Sequence, residues 1–382
     1  MLIDVTRLVN RTLQGRLPTG IDRVSLAYLN HYGCYARAMV RFGGRWVKMN
    51  GNDSRRLFDA LLVGGMGRSA TIRRSLGQGY ALAWRRHRGA ILLNTGHSGL
   101  DRAEYLREIK RQELRPLFFL HDLIPISHPE FSRSGETDKH HRRLEVMLSA
   151  ACGLIVNSAA TRDDLLAYSA EKSVAVPPCV IAPLAPARLP PPDTDRPLAE
   201  PYFVCLGTIE PRKNHLLLLH LWRQLVEEFG DAAPRLVVIG QRGWECEQVV
   251  DLLERCQVLR GYVEEKPSCP DEDLATWLHH SRALLFPSFV EGFGIPLVEA
   301  LALGVPVIAS DLAVFREIAG DIPEYLDPLD GPGWRRLIID YVSPASHARQ
   351  AQIERMRNFD APSWERHFSV VDDLLVKVQA CS

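Results

Sequence analysis

The sequence lacks the long apolar runs and the charge bias that characterise several classes of protein. No run of 18 or more apolar residues occurs in it, so we expect no membrane-spanning helix. The opening residues, MLIDVTRLVNRT, carry charges where a signal peptide has an apolar core. Lys plus Arg and Asp plus Glu number 46 each, so no net positive field favours nucleic acid. We therefore expect a cytoplasmic chain that binds no nucleic acid.

Motifs of several catalytic and metal-binding sites are also missing. The 8 cysteines form no CxxC pair and show no zinc-ligand spacing, which indicates buried, reduced thiols. Neither a Walker loop nor the G-x-S-x-G turn of a hydrolase nucleophile occurs. The sequence gives no sign of a bound metal or cofactor, and we expect none.

What the sequence does contain is an alternation of short apolar runs with longer amphipathic ones. This alternation is typical of parallel sheets covered by helices, so the predicted fold class is α/β. One predicted helix, HLLLLHLWRQLVEEFG, has leucines at helical spacing and ends at Gly230. The predicted strands are MLIDVTRL, GAILLNTG, PLFFLHDL and GLIVNS in the first half, and YFVCLGT, PRLVVIG, CQVLRGYV, RALLFPS and VPVIAS in the second.

A proline-rich segment separates the two halves. Seven prolines lie between Pro183 and Pro201, which predicts an extended linker over residues 183–201. The predicted domains are therefore residues 1–182 and 202–360. Residues 361–382 include Ser363, a residue type that often begins a helix, and predict a terminal helix that could pack back on the first domain.

Two carboxylates stand in an apolar setting in PSFVEGFGIPLVEALALGVPVIAS, residues 287–310. Glu291 and Glu299 are its only charged residues, and a buried carboxylate is costly unless it is compensated. The pattern predicts a strand, a glycine loop and a helix that begins with proline, whose free backbone N–H groups suit a phosphate. Phosphate repels carboxylate, so we interpret both glutamates as acceptors for vicinal hydroxyls on the two rings of a nucleotide sugar. The alternative is two surface acids at a helix end.

A basic pair follows the first predicted strand of the second half, in GTIEPRKNHLLL. Arg212 and Lys213 would lie at the carboxyl end of a parallel strand, where α/β proteins bind ligands. Arg can bind a diphosphate with two hydrogen bonds and Lys binds it as a point charge, so both could stabilise a departing diphosphate. The alternative is a surface loop with two basic residues.

Two weaker signals lie in the first half. Gly20, in LPTGIDRVSLAYL, precedes a helix predicted to begin near Ile21, where backbone N–H groups could meet an anion. His121 and Asp122, in FFLHDLIPISHPEF, follow an apolar strand and would lie at its carboxyl end. The alternative for His121 is a hydrogen-bonded histidine of the core.

Together these motifs resemble the retaining GT-B glycosyltransferases of the family-4 type. The likeness runs from about Tyr202 to Asp321 and includes the Glu-x7-Glu spacing of Glu291 and Glu299. In the first half, HDLIP and IVNSAATRDDL are similar to bacterial mannosyl- and rhamnosyl-transferring members. The resemblance implies two Rossmann-like domains that face each other across a cleft.

The resemblance also implies roles for single residues. Glu291 would contact the transferred sugar, Glu299 would bind the ribose, and Arg212 and Lys213 would hold the diphosphate. His121 would line the reaction centre, so the catalytic set is Glu291, His121, Arg212 and Lys213. The other donor-binding positions are Gly20, Tyr262, Val263, Gly292, Phe293, Gly294, Ile295 and Leu297, with Tyr262 and Val263 near the base.

The implied activity is transfer of a hexose of mannose or rhamnose type, with GDP-mannose as first choice of donor. The acceptor would be a hydroxyl of a growing, lipid-linked surface glycan. Front-face attack without a metal is the implied route, and double displacement through Glu291 is its rival. Two other hypotheses stay open, a nucleotide-sugar epimerase or hydrolase of the same fold and a non-catalytic component of a polysaccharide-assembly complex.

Two further segments need interpretation. The triplet Asp193-Thr194-Asp195 matches a metal-binding motif of another class of sugar transferases, but it lies inside the linker and we interpret it as incidental. Residues 68–88, RSATIRRSLGQGYALAWRRHR, carry six arginines and no acid. One hypothesis is contact with the inner face of the cytoplasmic membrane or a lipid-linked phosphate, and the alternative is a solvated basic helix face.

Overall fold

The computed structural model describes residues 1–16, 18–42, 45–63, 67–81 and 88–380. The chain divides into two compact units. The first contains Met1–Ile126, Gly135–Leu184 and Trp364–Ser382, and the second contains Ser127–Ser134 and Ala185–Ser363. Residues 183–201, for which a linker is predicted, contain no helix or strand, and only the first two of them group with the first unit.

The first unit is built on one sheet. Its strands are β1 (Leu2–Asp4), β2 (Arg37–Phe42), β3 (Arg45–Lys48), β4 (Ile91–Asn94), β5 (Arg115–Leu120), β6 (Gly153–Val156) and β7 (Cys179–Ile181). These seven strands of the described residues lie in the order β3-β2-β1-β4-β5-β6-β7. Neighbours pair in parallel, except that β2 and β3 are antiparallel.

Helices follow most of these strands, as the apolar and amphipathic alternation predicts. They are α1 (Thr6–Leu13), α2 (Gly20–Tyr32), α3 (Gly51–Leu62), α4 (Arg68–Ala81), α5 (Ala103–Arg111), α6 (Ile124–Ser127), α7 (Glu136–Ala150) and α8 (Ala159–Lys172). A short 3-10 turn, Pro129–Phe131, precedes α7.

The second unit has a parallel sheet of its own. Its strands are β8 (Tyr202–Leu206), β9 (Arg235–Ile239), β10 (Val263–Lys266), β11 (Leu284–Phe286), β12 (Val307–Ser310) and β13 (Glu324–Leu326). These six strands of the described residues lie in the order β10-β9-β8-β11-β12-β13. This is the Rossmann order, in which the chain direction across the sheet reverses between β8 and β11. Ligands of such sheets bind beyond the carboxyl ends of the strands at that reversal.

The helices of the second unit connect these strands. They are α9 (His215–Phe229), α10 (Glu247–Arg255), α11 (Asp271–His279), α12 (Ile295–Ala302), α13 (Ala313–Ala319), α14 (Gly331–Val342) and α15 (His347–Met356), with 3-10 turns at Pro211–Lys213, Gly230–Ala232 and Gln257–Leu259. The predicted helix that ends at Gly230 is α9. Its buried face includes Leu218, Leu225 and the fully buried Trp222, which pack on the sheet.

The last helix, α16 (Trp364–Ala380), belongs to the first unit. Phe368 lies with its ring centroid 5.1 Å from that of Tyr28, and His367 Nε2 is 2.8 Å from the Tyr28 hydroxyl. The Tyr32 hydroxyl donates to Asp372 at 2.8 Å. Residues near both ends of the chain therefore share one core.

Several strand predictions need correction. MLIDVTRL is a strand only at Leu2–Asp4, because Thr6 already begins α1. CQVLRGYV is mostly a 3-10 turn, and β10 begins at Val263. Strands β2, β3, β7 and β13 were not predicted at all.

Two expectations about composition can be compared with the structure. No helix in the described part of the chain is long and apolar enough to cross a membrane. The cysteines of the described residues are free thiols, and most are at least partly buried, although Cys34 is exposed.

Candidate functional site

Two loops of the second unit meet at the reversal point of its sheet. One follows β8 and contains the turn Pro211–Lys213, and the other follows β11 and leads to α12. Since β8 and β11 are parallel neighbours, both loops leave the same edge of the sheet. The backbone N–H of Phe289 donates to the carbonyl of Arg212 at 2.8 Å, which ties the loops together.

Four charged side chains converge between these loops, and we call Glu210, Arg212, Lys213 and Glu291 the charged cluster. One Glu291 oxygen accepts from Arg212 Nη1 at 2.6 Å. The other accepts from Lys213 Nζ and, at 2.7 Å, from the Ser288 hydroxyl. Arg212 Nε pairs with Glu210 at 2.6 Å. The Glu291 side chain is only 6% exposed, so these partners replace water as its solvation.

The pKa shifts of the cluster follow from this geometry. Burial alone would raise the pKa of Glu291, but the positive charges of Arg212 and Lys213 lower it to about 2. Burial raises the pKa of Glu210 above its ordinary value despite the same cations. Burial and the neighbouring guanidinium lower the pKa of Lys213. Glu291 is thus the carboxylate that the site holds ionised most strongly.

A glycine turn at Gly294 lies between the Glu291 loop and the start of α12. Gly294 has φ +106°, and a Cβ there would lie 2.6 Å from the ring of Phe315, so a side chain does not fit. Phe293 and Leu297 are buried on either side of this turn, which fixes the backbone of Gly292 and Ile295 beside the charged cluster. Within this turn Pro296 has no N–H and Leu297 donates to the carbonyl of Gly294 at 3.0 Å, so Gly294 and Ile295 carry the N–H groups that could meet an anion.

Glu299 lies farther along α12 and is buried, with 5% of its surface exposed. One of its carboxylate oxygens accepts from the backbone N–H of Ala187 at 3.3 Å. The structure brings Glu291, Arg212 and Lys213 into direct contact and places Glu299 on the adjoining helix.

Sequence reasoning missed two residues that touch this cluster. Glu210 binds Arg212, and Ser288 donates to Glu291. Both stand in the motifs already quoted, Glu210 two positions before Arg212 and Ser288 at the end of the β11 run. The available signal for Glu210 was its position close to the basic pair, where an acid can form an ion pair.

The position predicted for the base contact needs correction. Tyr262 and Val263 lie at the amino end of β10, where Tyr262 accepts from the N–H of Leu236 through its carbonyl. The carboxyl end of β10 is Lys266, which is in register with Ile239. Tyr262 and Val263 are therefore at the sheet edge opposite to the charged cluster, because a parallel strand has its ligand edge at its carboxyl end.

In the first unit, Gly20 begins α2, but α1 lies between β1 and this glycine. Thr19 caps the helix and bonds Asp22 in a capping box. Asp22 also pairs with Arg7 and Arg11 of α1, each at 2.8 Å. The helix start is thus already surrounded by charge-paired side chains.

His121 follows β5 and lies in a group that we call the histidine cluster, His97, His121 and His140. The ring centroid of His97 is 5.1 Å from that of His121 and 6.1 Å from that of His140. His121 Nε2 donates to the carbonyl of Thr95 at 2.7 Å, which fixes the proton on that nitrogen. Burial lowers the pKa of His121 to about 4 and lowers those of its two neighbours. The cluster is therefore uncharged near neutral pH.

The roles predicted for Gly20 and His121 toward a donor stay predictions. Among the described residues, no group of three or more metal-ligating side chains could hold a metal ion. Asp193 of the acidic triplet is exposed, and its carboxylate accepts from the N–H of Asp195 at 3.1 Å. In the basic segment, residues 68–81 form α4 with Arg73 and Arg74 exposed, whereas residues 82–87 lie outside the described residues.

Comparison with solved structures identifies the class of fold. The structure of Anabaena Alr3699/HepE in complex with UDP-glucose superposes with a TM-score of 0.65 at 13% identity, covering 99% of each chain. Sucrose-phosphate synthase from Thermosynechococcus elongatus gives a TM-score of 0.59 at 18% identity, covering 82% of this chain and 79% of that one. The chain has the α/β fold of GT-B glycosyltransferases, with two Rossmann-like sheets.

Comparison of sequences finds a family match over part of the chain. Residues 191–322, which include the charged cluster, match the family described as Glycosyl transferases group 1. The serotype-specific mannosyltransferase WbdA of Escherichia coli is 33% identical over 218 residues, which are 53% of this chain and 26% of that protein. The O-antigen chain mannosyltransferase B of Escherichia coli is 29% identical over 258 residues, 66% of this chain and 67% of that protein. The chain thus spans about a quarter of the length of the first relative.

Proposed function

We propose that this protein is a mannosyltransferase that builds a bacterial surface glycan. The observation that carries the proposal is Glu291 bound between Arg212 and Lys213 at the reversal point of the second sheet. This arrangement would suit a sugar next to a diphosphate, and it lies within the matched residues 191–322. The names of the two mannosyltransferase relatives support mannose as the sugar and O-antigen as the kind of product.

The donor that we propose is a nucleoside-diphosphate mannose, with GDP-mannose first. Arg212 and Lys213 would bind the diphosphate together with the N–H groups at the start of α12. Glu291 would accept a hydrogen bond from a hydroxyl of the mannose, and its negative charge would stabilise an oxocarbenium-like transition state. Glu299 would accept from the ribose hydroxyls.

The mechanism that we propose is front-face substitution with retention. The acceptor oxygen bonds to the anomeric carbon from the face that the diphosphate leaves, and a leaving phosphate oxygen takes the acceptor proton. Arg212 and Lys213 then stabilise the charge that remains on the nucleoside diphosphate. Because these residues and the helix N-terminus supply positive potential, we propose that transfer needs no metal.

The acceptor that we propose is a lipid-linked glycan, used by the protein in the cytoplasm at the inner face of the membrane. The exposed arginines of α4 support this part, since Arg73 and Arg74 could bind anionic headgroups or a lipid-linked phosphate. A liposome flotation assay with and without anionic lipid tests it, with Arg73→Gln and Arg74→Gln combined as the variant. Equal flotation of both proteins would contradict it.

The main test is a transfer assay with purified protein, GDP-mannose and a synthetic mannoside that carries a lipid-like chain. We expect a mannosylated product with an α linkage, visible by NMR, and activity that survives EDTA. UDP-glucose and UDP-N-acetylglucosamine serve as donor controls, and Glu291→Ala serves as the enzyme control. No transfer from GDP-mannose, or transfer from a UDP-sugar in its place, would contradict the proposal.

The same assay separates the rival hypotheses. Release of nucleotide, or conversion of the sugar, without acceptor would favour a hydrolase or an epimerase. Binding of the donor without turnover on any acceptor would favour a non-catalytic component of an assembly complex.

A further inference from the structure

The charged cluster is neutralised by its own side chains. Two cations, Arg212 and Lys213, face two carboxylates, Glu210 and Glu291, through contacts at hydrogen-bond distance. A diphosphate that simply added to this cluster would place further negative charge beside a buried carboxylate. Such like-charge contacts at short range are strongly unfavourable away from bulk water.

The two carboxylates of the cluster are bound differently. Glu291 uses one oxygen for Arg212 and the other for Lys213, so it occupies both cations at once. Glu210 pairs with Arg212 through Nε. Arg212 Nη1 also donates to the carbonyl of Val290 at 3.2 Å, which holds it on the side of Glu291. Arg212 Nη1 and Lys213 Nζ, the groups that would donate to a diphosphate, therefore both donate to Glu291.

We infer that Glu291 competes with the donor diphosphate for Arg212 and Lys213, and that donor binding exchanges these ion pairs for phosphate contacts. The exchange frees the Glu291 carboxylate to bind a hydroxyl of the donor sugar. Ser288, whose hydroxyl donates to Glu291 at 2.7 Å, can keep one hydrogen bond to it during the exchange. This inference rests on the proposed function, because it takes the ligand to be a nucleoside diphosphate.

Calorimetric titration of GDP and UDP tests the competition. We expect Glu291→Gln to bind the preferred diphosphate about ten-fold more tightly than the unaltered protein, since a charge-assisted bond no longer opposes binding. Glu210→Gln is the matched control, because it removes the same charge from the same cluster but frees one cation rather than two. Its gain should be several-fold smaller. Glu254→Gln, in an exposed ion pair with Arg242, should leave the affinity unchanged.

Equal gains in Glu291→Gln and Glu210→Gln would overturn the inference, because net charge would then explain both. So would an unchanged or weaker affinity of a folded Glu291→Gln, with folding checked by circular dichroism. If that variant does not fold, crystal structures of the unaltered protein with and without the diphosphate decide the matter. We expect the distance from Lys213 Nζ to Glu291 to exceed 4 Å in the complex, about the limit of an ion pair, and retention of both ion pairs contradicts the inference. Failure of every protein to bind GDP or UDP would instead overturn the proposed function.

Discussion

The polar edges of the two sheets differ in how they avoid the cost of buried charge. The second sheet buries Glu291 as an ion and compensates it with Arg212 and Lys213. The first sheet buries His97, His121 and His140 and keeps them neutral, each with Nε2 donating to a backbone carbonyl. A compensated ion can exchange its partner for a charged ligand, whereas a neutral imidazole offers shape and a hydrogen bond.

This difference indicates how a molecule with a net charge of +0 can still be specific for an anion. The anion site that we propose would depend on local pairs and a helix N-terminus rather than on the overall field. It also predicts that substitutions at the two edges act differently. The edge that holds the charged cluster should govern turnover and ligand binding, and the edge that holds the histidine cluster should govern how stability depends on pH between about 6.5 and about 4.

The largest effect should come from Glu291→Ala. We expect it to lower kcat about a hundred-fold or more, because it removes the negative charge opposite the developing oxocarbenium ion. Glu299→Ala should mainly raise KM for the donor. His121→Gln keeps a donor for the carbonyl of Thr95 and should lower kcat much less than Glu291→Ala. Steady-state kinetics with GDP-mannose measure all three, and an equal loss of kcat in His121→Gln and Glu291→Ala would break the comparison.

Gly294→Ala should have the next largest effect, on stability and on nucleotide binding. Gly304→Ala is its matched control, since Gly304 lies just past the other end of α12 with φ +73° and open space where a Cβ would be. Both substitutions carry backbone strain of about 1 kcal/mol, but only Gly294→Ala also meets the Phe315 ring, which adds about 1–3 kcal/mol. Urea unfolding measures the difference, and equal losses would mean that the turn can relax.

The pH dependence of stability should also differ between the two edges. The expected change in the free energy of unfolding is of intermediate size. The pKa of a histidine is about 6.5 in an unfolded chain, and that of His121 is about 4 in the folded protein. Acid therefore protonates the unfolded state first, and the free energy of unfolding falls between those two values. Relative to His121→Gln, the unaltered protein should lose about 2 kcal/mol from pH 6.5 to pH 4.5.

Denaturant unfolding at several pH values checks this prediction, with the exposed His220→Gln as control. A slope unchanged by His121→Gln would mean that His121 does not titrate in this window. The pKa of Glu291 is likewise lower in the folded protein, so its contribution to stability is also lost in acid, but in a lower pH range. This contribution is complete above about pH 4.5, the ordinary glutamate value, and is lost as pH falls toward about 2.

The smallest effect should come from Glu254→Gln. Its ion pair with Arg242 has a separation of 2.5 Å, yet both side chains are well exposed. Solvent screens such pairs, so we expect a change in the free energy of unfolding below about 0.5 kcal/mol. Thermal unfolding of the purified variant measures it. A larger loss of unfolding free energy would mean that this exposed ion pair stabilises the protein as a buried pair of the charged cluster would.

The sequence predicted the charged edge well because its chemistry is written in short local motifs. Glu291 stands beside Gly292 and Arg212 beside Pro211, which mark loops after apolar strands, so parallel topology was enough to expect these residues and Lys213 at one edge. The direct Glu291 bonds to both cations could not be predicted, since they depend on the register of β8 and β11. Glu210 was passed over for the same reason.

Other features could not be predicted because short segments contain too few residues to show a clear apolar pattern. The arginines of β2 and β3 interrupt the apolar pattern, so neither strand was predicted. In the N-terminal run, strand and helix are separated by one residue, Val5, which no periodicity could detect. Tyr262 and Val263 were assigned by resemblance, but strand direction decides which end of β10 meets a ligand.

The position of α16 has a consequence for the order of synthesis. Its side chains complete the core around Tyr28 and Tyr32, yet residues 185–363 of the second unit leave the ribosome first. The second unit can therefore finish folding while the first still exposes the apolar surface that α16 will cover. Domains usually fold in the order in which they are made, whereas here the first unit can be completed only after the second has been synthesised. During synthesis, the first unit therefore stays incompletely folded until α16 has left the ribosome.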